Sequence, residues 1–116
     1  MALEARAIKR FIPGSPRKMR LVADLIRGKN VEQAINILHF SPKHASKVCE
    51  ITLRSAISNL QNAKDSGRLE PANVYVKTVM VDGGPMAKRV LPAPMGRAFR
   101  VRKRTNHLTI IVSEKE

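Results

Sequence analysis

Aromatic side chains are scarce in this chain: tryptophan is absent, tyrosine occurs once, and all aromatics together make up 3% of 116 residues. That argues against a module that reads nucleic acid by stacking bases on aromatic platforms. The single cysteine excludes an internal disulfide and fits a reducing cytoplasm. No apolar run approaches the roughly 18 residues of a membrane-crossing helix. The opening Met1-Ala2-Leu3-Glu4-Ala5-Arg6 lacks the apolar stretch of a signal peptide. His39, His44 and His107 are widely spaced and without companion ligands, so no metal site is expected. Gly83-Gly84-Pro85 is too short, and has the wrong neighbours, to be a Walker-type phosphate loop. With no nucleophile motif and no acid pair suited to catalysis, neither an enzyme nor a cofactor is expected.

Acids are the remaining shortage. Asp and Glu number 9 against 22 Lys and Arg, a net charge of +13. Such a charge repels itself on compaction, so its presence points to a polyanionic partner, with nucleic acid the leading class. An anionic membrane would ask for a basic amphipathic helix or a lipidation signal, and neither is evident. The charge is clustered. Arg6, Lys9, Arg10, Arg17, Lys18 and Arg20 all precede the first Asp, while Lys88, Arg89, Arg97, Arg100, Arg102, Lys103 and Arg104 lie in a stretch with no acid between Asp82 and Glu114. Lys43, Lys47 and Lys64 read as an ordinary solvated face. Arginine suits phosphate because its planar fork bonds two oxygens at once. Recognition is therefore expected to rest on backbone charge and RNA shape. The alternative, a general basic protein binding DNA or other RNA, would favour a helix with a dense basic face. Here the strongest cluster falls on strands.

The length fits one domain with a modest core. Alternation over residues 3–10 sets Leu3, Ala5 and Ala7 against Glu4, Arg6 and Ile8, predicting a strand, with Pro13-Gly14 as the following loop. Ser15-Pro16 reads as an N-cap and first helical residue. Met19, Val22, Ala23 and Ile26 recur at helical spacing, and Gly28 terminates them. Asn30 and Gln33 resemble a capping box before Val31, Ala34, Ile35 and Leu38. Ser41-Pro42 repeats the start signal. Ala45, Val48, Cys49, Thr52, Ala56 and Leu60 then mark a long helix to about Ser66, with Gly67 as terminator. Cys49 falls on its apolar stripe as a small buried hydrophobe. Small Ala45, Ser55, Ala56 and Ser58 predict close packing of another element. Val74, Val76, Thr78 and Met80 alternate with Tyr75, Lys77, Val79 and Val81 in a further strand.

Between Gly83 and Arg97 the chain holds three prolines, three glycines and three basic residues, and follows neither period. The strand leading out of it has one parity that runs Arg100, Arg102, Arg104, Asn106, Leu108, Ile110, Val112. If no bulge intervenes, one face is basic near the excursion and aliphatic at the far end. An isolated hairpin is marginal in water, so the excursion is expected to order on contact with a partner. The reading is one domain, 1–116, with a body of 1–82 and 105–116 and an extended hairpin of about 83–104.

Several pieces, in order and spacing, resemble one family: Ser15-Pro16-Arg17-Lys18, Leu21 through Lys29, Ser55-Ala56-Ile57 with Asn59, Val81-Asp82 with Gly84-Pro85, Lys88-Arg89, Gly96-Arg97-Ala98, and Lys103-Arg104-Thr105 with His107-Leu108-Thr109. This is the large-ribosomal-subunit protein family L-twenty-two, in its bacterial form. The resemblance covers nearly the whole chain. It implies an α+β body of three helices on a three-stranded antiparallel sheet, with a long protruding β-hairpin. It also implies binding to large-subunit (23S-type) ribosomal RNA, support of subunit assembly, and a hairpin lining the nascent-peptide exit tunnel. The RNA-binding residues it implies add Arg27, Lys29 and His107 to the two clusters. The tunnel-lining tip it implies is Lys88, Arg89, Val90, Leu91, Pro92, Ala93, Pro94, Met95 and Gly96. Implied partners are neighbouring large-subunit proteins and the nascent peptide, with macrolide antibiotics binding nearby, on cytoplasmic ribosomes. The chain departs from the family at Ala93-Pro94-Met95, where the tip is commonly more basic, and at Leu60, where a small residue is usual.

Overall fold

The computed structural model describes residues 3–64, 71–92 and 98–114, with the backbone alone over 87–92 and 98–102. In chain order the elements are β1 (Glu4–Pro13), α1 (Pro16–Ile26), α2 (Val31–His39), α3 (His44–Ala63), a 3-10 turn at Pro71–Asn73, β2 (Val74–Gly83), β3 (Ala87–Pro92), β4 (Ala98–Lys103) and β5 (Thr105–Glu114). β1, β5 and β2 form a three-stranded antiparallel sheet in that spatial order, and β3 pairs β4 in a separate two-stranded sheet. The fold is α+β, three helices over one sheet, and its longest dimension is 67 Å.

Local chemistry starts α1 and α2, and ends α1, where the sequence predicts. Ser15 Oγ accepts the Arg17 N–H at 3.2 Å, with Pro16 at the first helical position. The chain leaves α1 through Gly28 at φ +76°, a left-handed conformation that costs glycine little. Asn30 caps α2 by accepting the Glu32 N–H at 2.9 Å. This is the N-cap half of the expected capping box, made to the second helical N–H rather than to that of Gln33. α3 departs from expectation at both ends. Ser41 Oγ accepts the Lys43 N–H at 3.3 Å, the same spacing of bond as at Ser15, but the helix begins only at His44, with Lys43 at its N-cap and no side-chain cap. It ends at Ala63, where Lys64 turns to extended geometry (φ −85°, ψ 109°), and Gly67 lies outside the described residues.

The core lies between the helices and one sheet face. Met19, Val22, Ala23 and Ile26 from α1, Val31, Ala34 and Leu38 from α2, and Cys49, Leu53, Ala56 and Leu60 from α3 are all buried. Leu60 is completely buried in this core. Ser55 and Ser58 are exposed, so of the small residues expected to admit a neighbour only Ala56 is fully covered. From the sheet, Leu108, Ile110 and Val112 of β5 are completely buried, and they stand opposite Val81, Val79 and Val76 of β2. A register shift between Val76 and Thr78 makes this possible. One extra residue, Lys77, reverses the parity of β2, so Val79 and Val81 face the core where simple alternation would put Thr78 and Met80. A second shift, between Lys9 and Ile12 of β1, turns Ile12 inward. The strand expected to run from Ala98 to Val112 is interrupted at Arg104, between β4 and β5.

Candidate nucleic-acid interface

β2 is an edge strand, and the α1 region covers its open backbone. Val76 N–H donates to the Lys29 carbonyl (2.8 Å) and its carbonyl accepts from Gly28 N–H (3.1 Å). Further along, Arg20 Nη2 donates to the Val81 carbonyl at 3.1 Å and Arg27 Nη1 to the Val79 carbonyl at 2.7 Å. Arg27 also pairs with Asp24 at 3.3 Å. Two arginines that the sequence places among the RNA-binding residues thus also hold the body together. Arg6, Lys9 and Arg10 are exposed along β1, and Arg17, Lys18 and Lys29 are exposed on and after α1. Arg6 shares the row of Ile111 and Thr78 on the sheet face away from the helices.

At the hairpin root the two basic clusters meet. Lys18, from the first turn of α1, lines one shallow depression together with Lys103, Arg104, Thr105, Pro13, Gly14 and Ser15. Beside it an apolar groove runs between Ile12, Met19, Leu21, Ala45 and Val48, rimmed by Lys18, Lys43 and His44. Among the described residues no acid lines either surface. Four acids are engaged elsewhere, Glu4 with Lys77, Asp24 with Arg27, Glu50 with Arg54 and His39, and Glu114 with Lys64. Hydrogen bonding from Arg54 holds the Glu50 carboxyl below its ordinary value, and bonding to Glu4 raises Lys77. Among the described residues, Arg6, Lys9, Arg10, Arg17, Lys18, Lys103 and Arg104 enter no ion pair. Uncompensated cations therefore flank the point where the hairpin leaves the body.

In the hairpin, backbone register sets Lys88 opposite Arg102, Arg89 opposite Val101 and Val90 opposite Arg100, ending with Leu91 opposite Phe99 and Pro92 opposite Ala98. Arg97 and the tip residues Ala93, Pro94, Met95 and Gly96 lie outside the described residues. His107 is half-buried: its Nδ1 accepts the Phe11 N–H at 3.0 Å and its ring meets that of Phe11 edge-on at 5.0 Å. Sequence reasoning left two residues at the root out of the interface, Thr105 and Asn106. Asn106 alone carried a signal, as the one amide in an otherwise aliphatic run toward Val112. It also missed that Phe11 and Phe40 are 62% and 80% exposed, since scarcity says nothing about placement. Among the described residues no three His, Cys, Asp or Glu side chains cluster for a metal ion, and no helix is long and apolar enough to cross a membrane.

Fold and charge together define a small α+β protein with a basic hairpin and an uncompensated cationic root. Residues 7–113 match the model of the family Ribosomal protein L22p/L17e, and the chain belongs to that family. It is 54% identical over 114 residues to the large ribosomal subunit protein uL22 of Chlorobaculum tepidum, covering 98% of this chain and 96% of that one. It is 58% identical over 100 residues to the protein of that name from Flavobacterium johnsoniae, covering 86% and 73%. With its Thermoanaerobacter sp. counterpart it shares 52% identity over 114 residues, 98% and 100% of the two chains.

Proposed function

We propose that this protein is a structural, non-catalytic constituent of the large ribosomal subunit. Its body, 1–82 and 105–116, seats on large-subunit ribosomal RNA, and its hairpin, about 83–104, reaches into the nascent-peptide exit tunnel. The observation that carries this reading is the hairpin root, where unpaired Lys18, Lys103 and Arg104 converge with no acid among the lining residues. RNA phosphates are the complement of such a surface. Arg6, Lys9, Arg10 and Arg17 extend the contact over the body, while Lys88, Arg89, Arg97, Arg100 and Arg102 extend it along the arms. The tip, Lys88 to Gly96, forms part of the tunnel wall. Pro92 and Pro94 stiffen it by fixing φ, and Ala93-Pro94-Met95 makes it less charged than is usual in the family. Neighbouring large-subunit proteins and the nascent peptide are its further partners, macrolides bind nearby, and the setting is the cytoplasmic ribosome.

Sedimentation tests this reading. The protein should travel with large subunits and be released by RNase. Co-purification with duplex DNA, or with RNase-resistant material of other size, would contradict it.

A further inference from the structure

Both arms of the hairpin lose strand geometry at one level. On the outgoing arm, Gly84, Pro85 and Met86 lie between β2 and β3. On the returning arm Arg104 separates β4 from β5. The body sheet and the hairpin sheet are consequently distinct. A ribbon joined to its base through breaks in both strands would pivot there, unless something other than the ladder held it.

Side chains and loop backbone supply that hold, from both flanks of the returning arm. On the β2 flank, Gly84 N–H donates to the Thr105 carbonyl at 3.0 Å and Thr105 Oγ1 donates to the Pro85 carbonyl at 2.6 Å. On the β1 flank, Gly14 N–H donates to the Arg104 carbonyl at 2.9 Å. Asn106 Nδ2 donates both its hydrogens, to the carbonyls of Ile12 (3.3 Å) and Gly14 (3.1 Å). Gly84 is packed so closely that a Cβ there would collide with Thr105 Oγ1 and stand 3.2 Å from the His107 ring. Asn106 is the telling choice. It is 1% exposed on the parity of Leu108, Ile110 and Val112, and its Oδ1 has no partner among the described residues. Burying an amide whose acceptor goes unmet is unfavourable. An aliphatic residue would extend the core without that penalty, but it could not bond the carbonyls of Ile12 and Gly14.

We propose that Gly84, Thr105 and Asn106 form a collar that fixes the hairpin's direction before RNA is met. The direction of the arms is then set at the root of the free chain, where the sequence alone predicts ordering on contact, and little orientational freedom is lost on binding. The three act as positioning residues. This inference rests on reading the hairpin as the RNA-contacting arm.

The test places spin labels at Ser58→Cys, exposed on α3, and Lys88→Cys on β3, in the full chain with Cys49→Ala, and measures their distance distribution without RNA. The parent should give one narrow distribution. Gly84→Ala and Asn106→Leu should broaden it about twofold or more, and should weaken binding to large-subunit ribosomal RNA by about tenfold, the scale of a few restored degrees of freedom. Thr105→Val, which keeps the shape and removes one bond, should broaden it less, and it decides the matter if the other variants do not fold. A broad distribution in the parent, or parent-like narrow ones in the folded variants, overturns the collar. RNA binding is measured on the unlabelled chains, with Lys88, Ser58 and Cys49 intact. Failure of the otherwise unsubstituted chain to bind ribosomal RNA would instead count against the function proposed above and leave the distance result standing.

Discussion

Arg27 donates from Nη1 to the carbonyl of Val79 at 2.7 Å, joining the end of α1 to the open edge of β2. Arg20 does the same one strand period further along, at Val81. An edge carbonyl left without a partner would be an invitation to pair with another chain, so these arginines serve the body first. Arg27→Ala should lower stability by about 1 to 2 kcal/mol, the lower part of the range for a hydrogen bond to a charged group because the side chain is half exposed. Arg17→Ala, on an exposed side chain that enters no ion pair, should change stability by less than about 0.5 kcal/mol. Urea unfolding at fixed ionic strength distinguishes them. Equal, small effects would make Arg27 a surface charge like the rest.

The inserted residue in β2 makes a second prediction. Val79→Ala should destabilise by about 2 kcal/mol, the scale of a buried aliphatic side chain. Met80→Ala, 42% exposed in the present register, should cost well under about 1 kcal/mol. The reverse order would mean that no bulge lies at Lys77.

That contrast shows where sequence was legible and where it was not. The face of α1 was readable because helical period and caps agree, from Ser15 to Gly28, and Leu108, Ile110 and Val112 were readable as a buried strand face. Parity in β2 was not, since a bulge depends on the partner strand and leaves no mark in Val74–Gly83 itself. The same holds for the bulge at Phe11, a bulky residue held at φ 56°. Of the candidate interface, the identity of the cations was plain from clustering. Their convergence at the root was not, because it depends on how α1 docks beside Arg104. Nor could sequence show that Arg20 and Arg27 are engaged by backbone carbonyls.

Burial raises the Cys49 thiol to about 12. A raised value in the folded state, against about 8.5 in an open chain, means that the native protein keeps a proton the unfolded one gives up. The stability linked to this group is therefore complete below about pH 8.5 and is lost as pH rises toward 12. Unfolding midpoints should fall over that alkaline window, and less so in Cys49→Ala. At pH 8 the thiol should resist a thiol reagent until denaturant is added. Rapid labelling of the native chain would place Cys49 at the surface.

Phosphate neutralisation predicts a steep salt response. If about six to ten phosphates are contacted, affinity for a large-subunit RNA fragment should drop roughly a thousandfold or more between about 50 and 200 mM salt. Lys18→Ala and Lys103→Ala should each flatten the logarithmic slope by about one. A nearly flat response would remove backbone charge as the main source of binding.

The central claim is that body and hairpin divide the work, one seated on ribosomal RNA and the other lining the tunnel. A map of large subunits containing this chain measures it directly. In such a map β3 and β4 should thread between RNA helices, with Lys88 to Gly96 at the tunnel wall and Lys18, Lys103 and Arg104 against phosphates. A hairpin lying on the solvent surface of the subunit, or a root that touches no RNA, would contradict it.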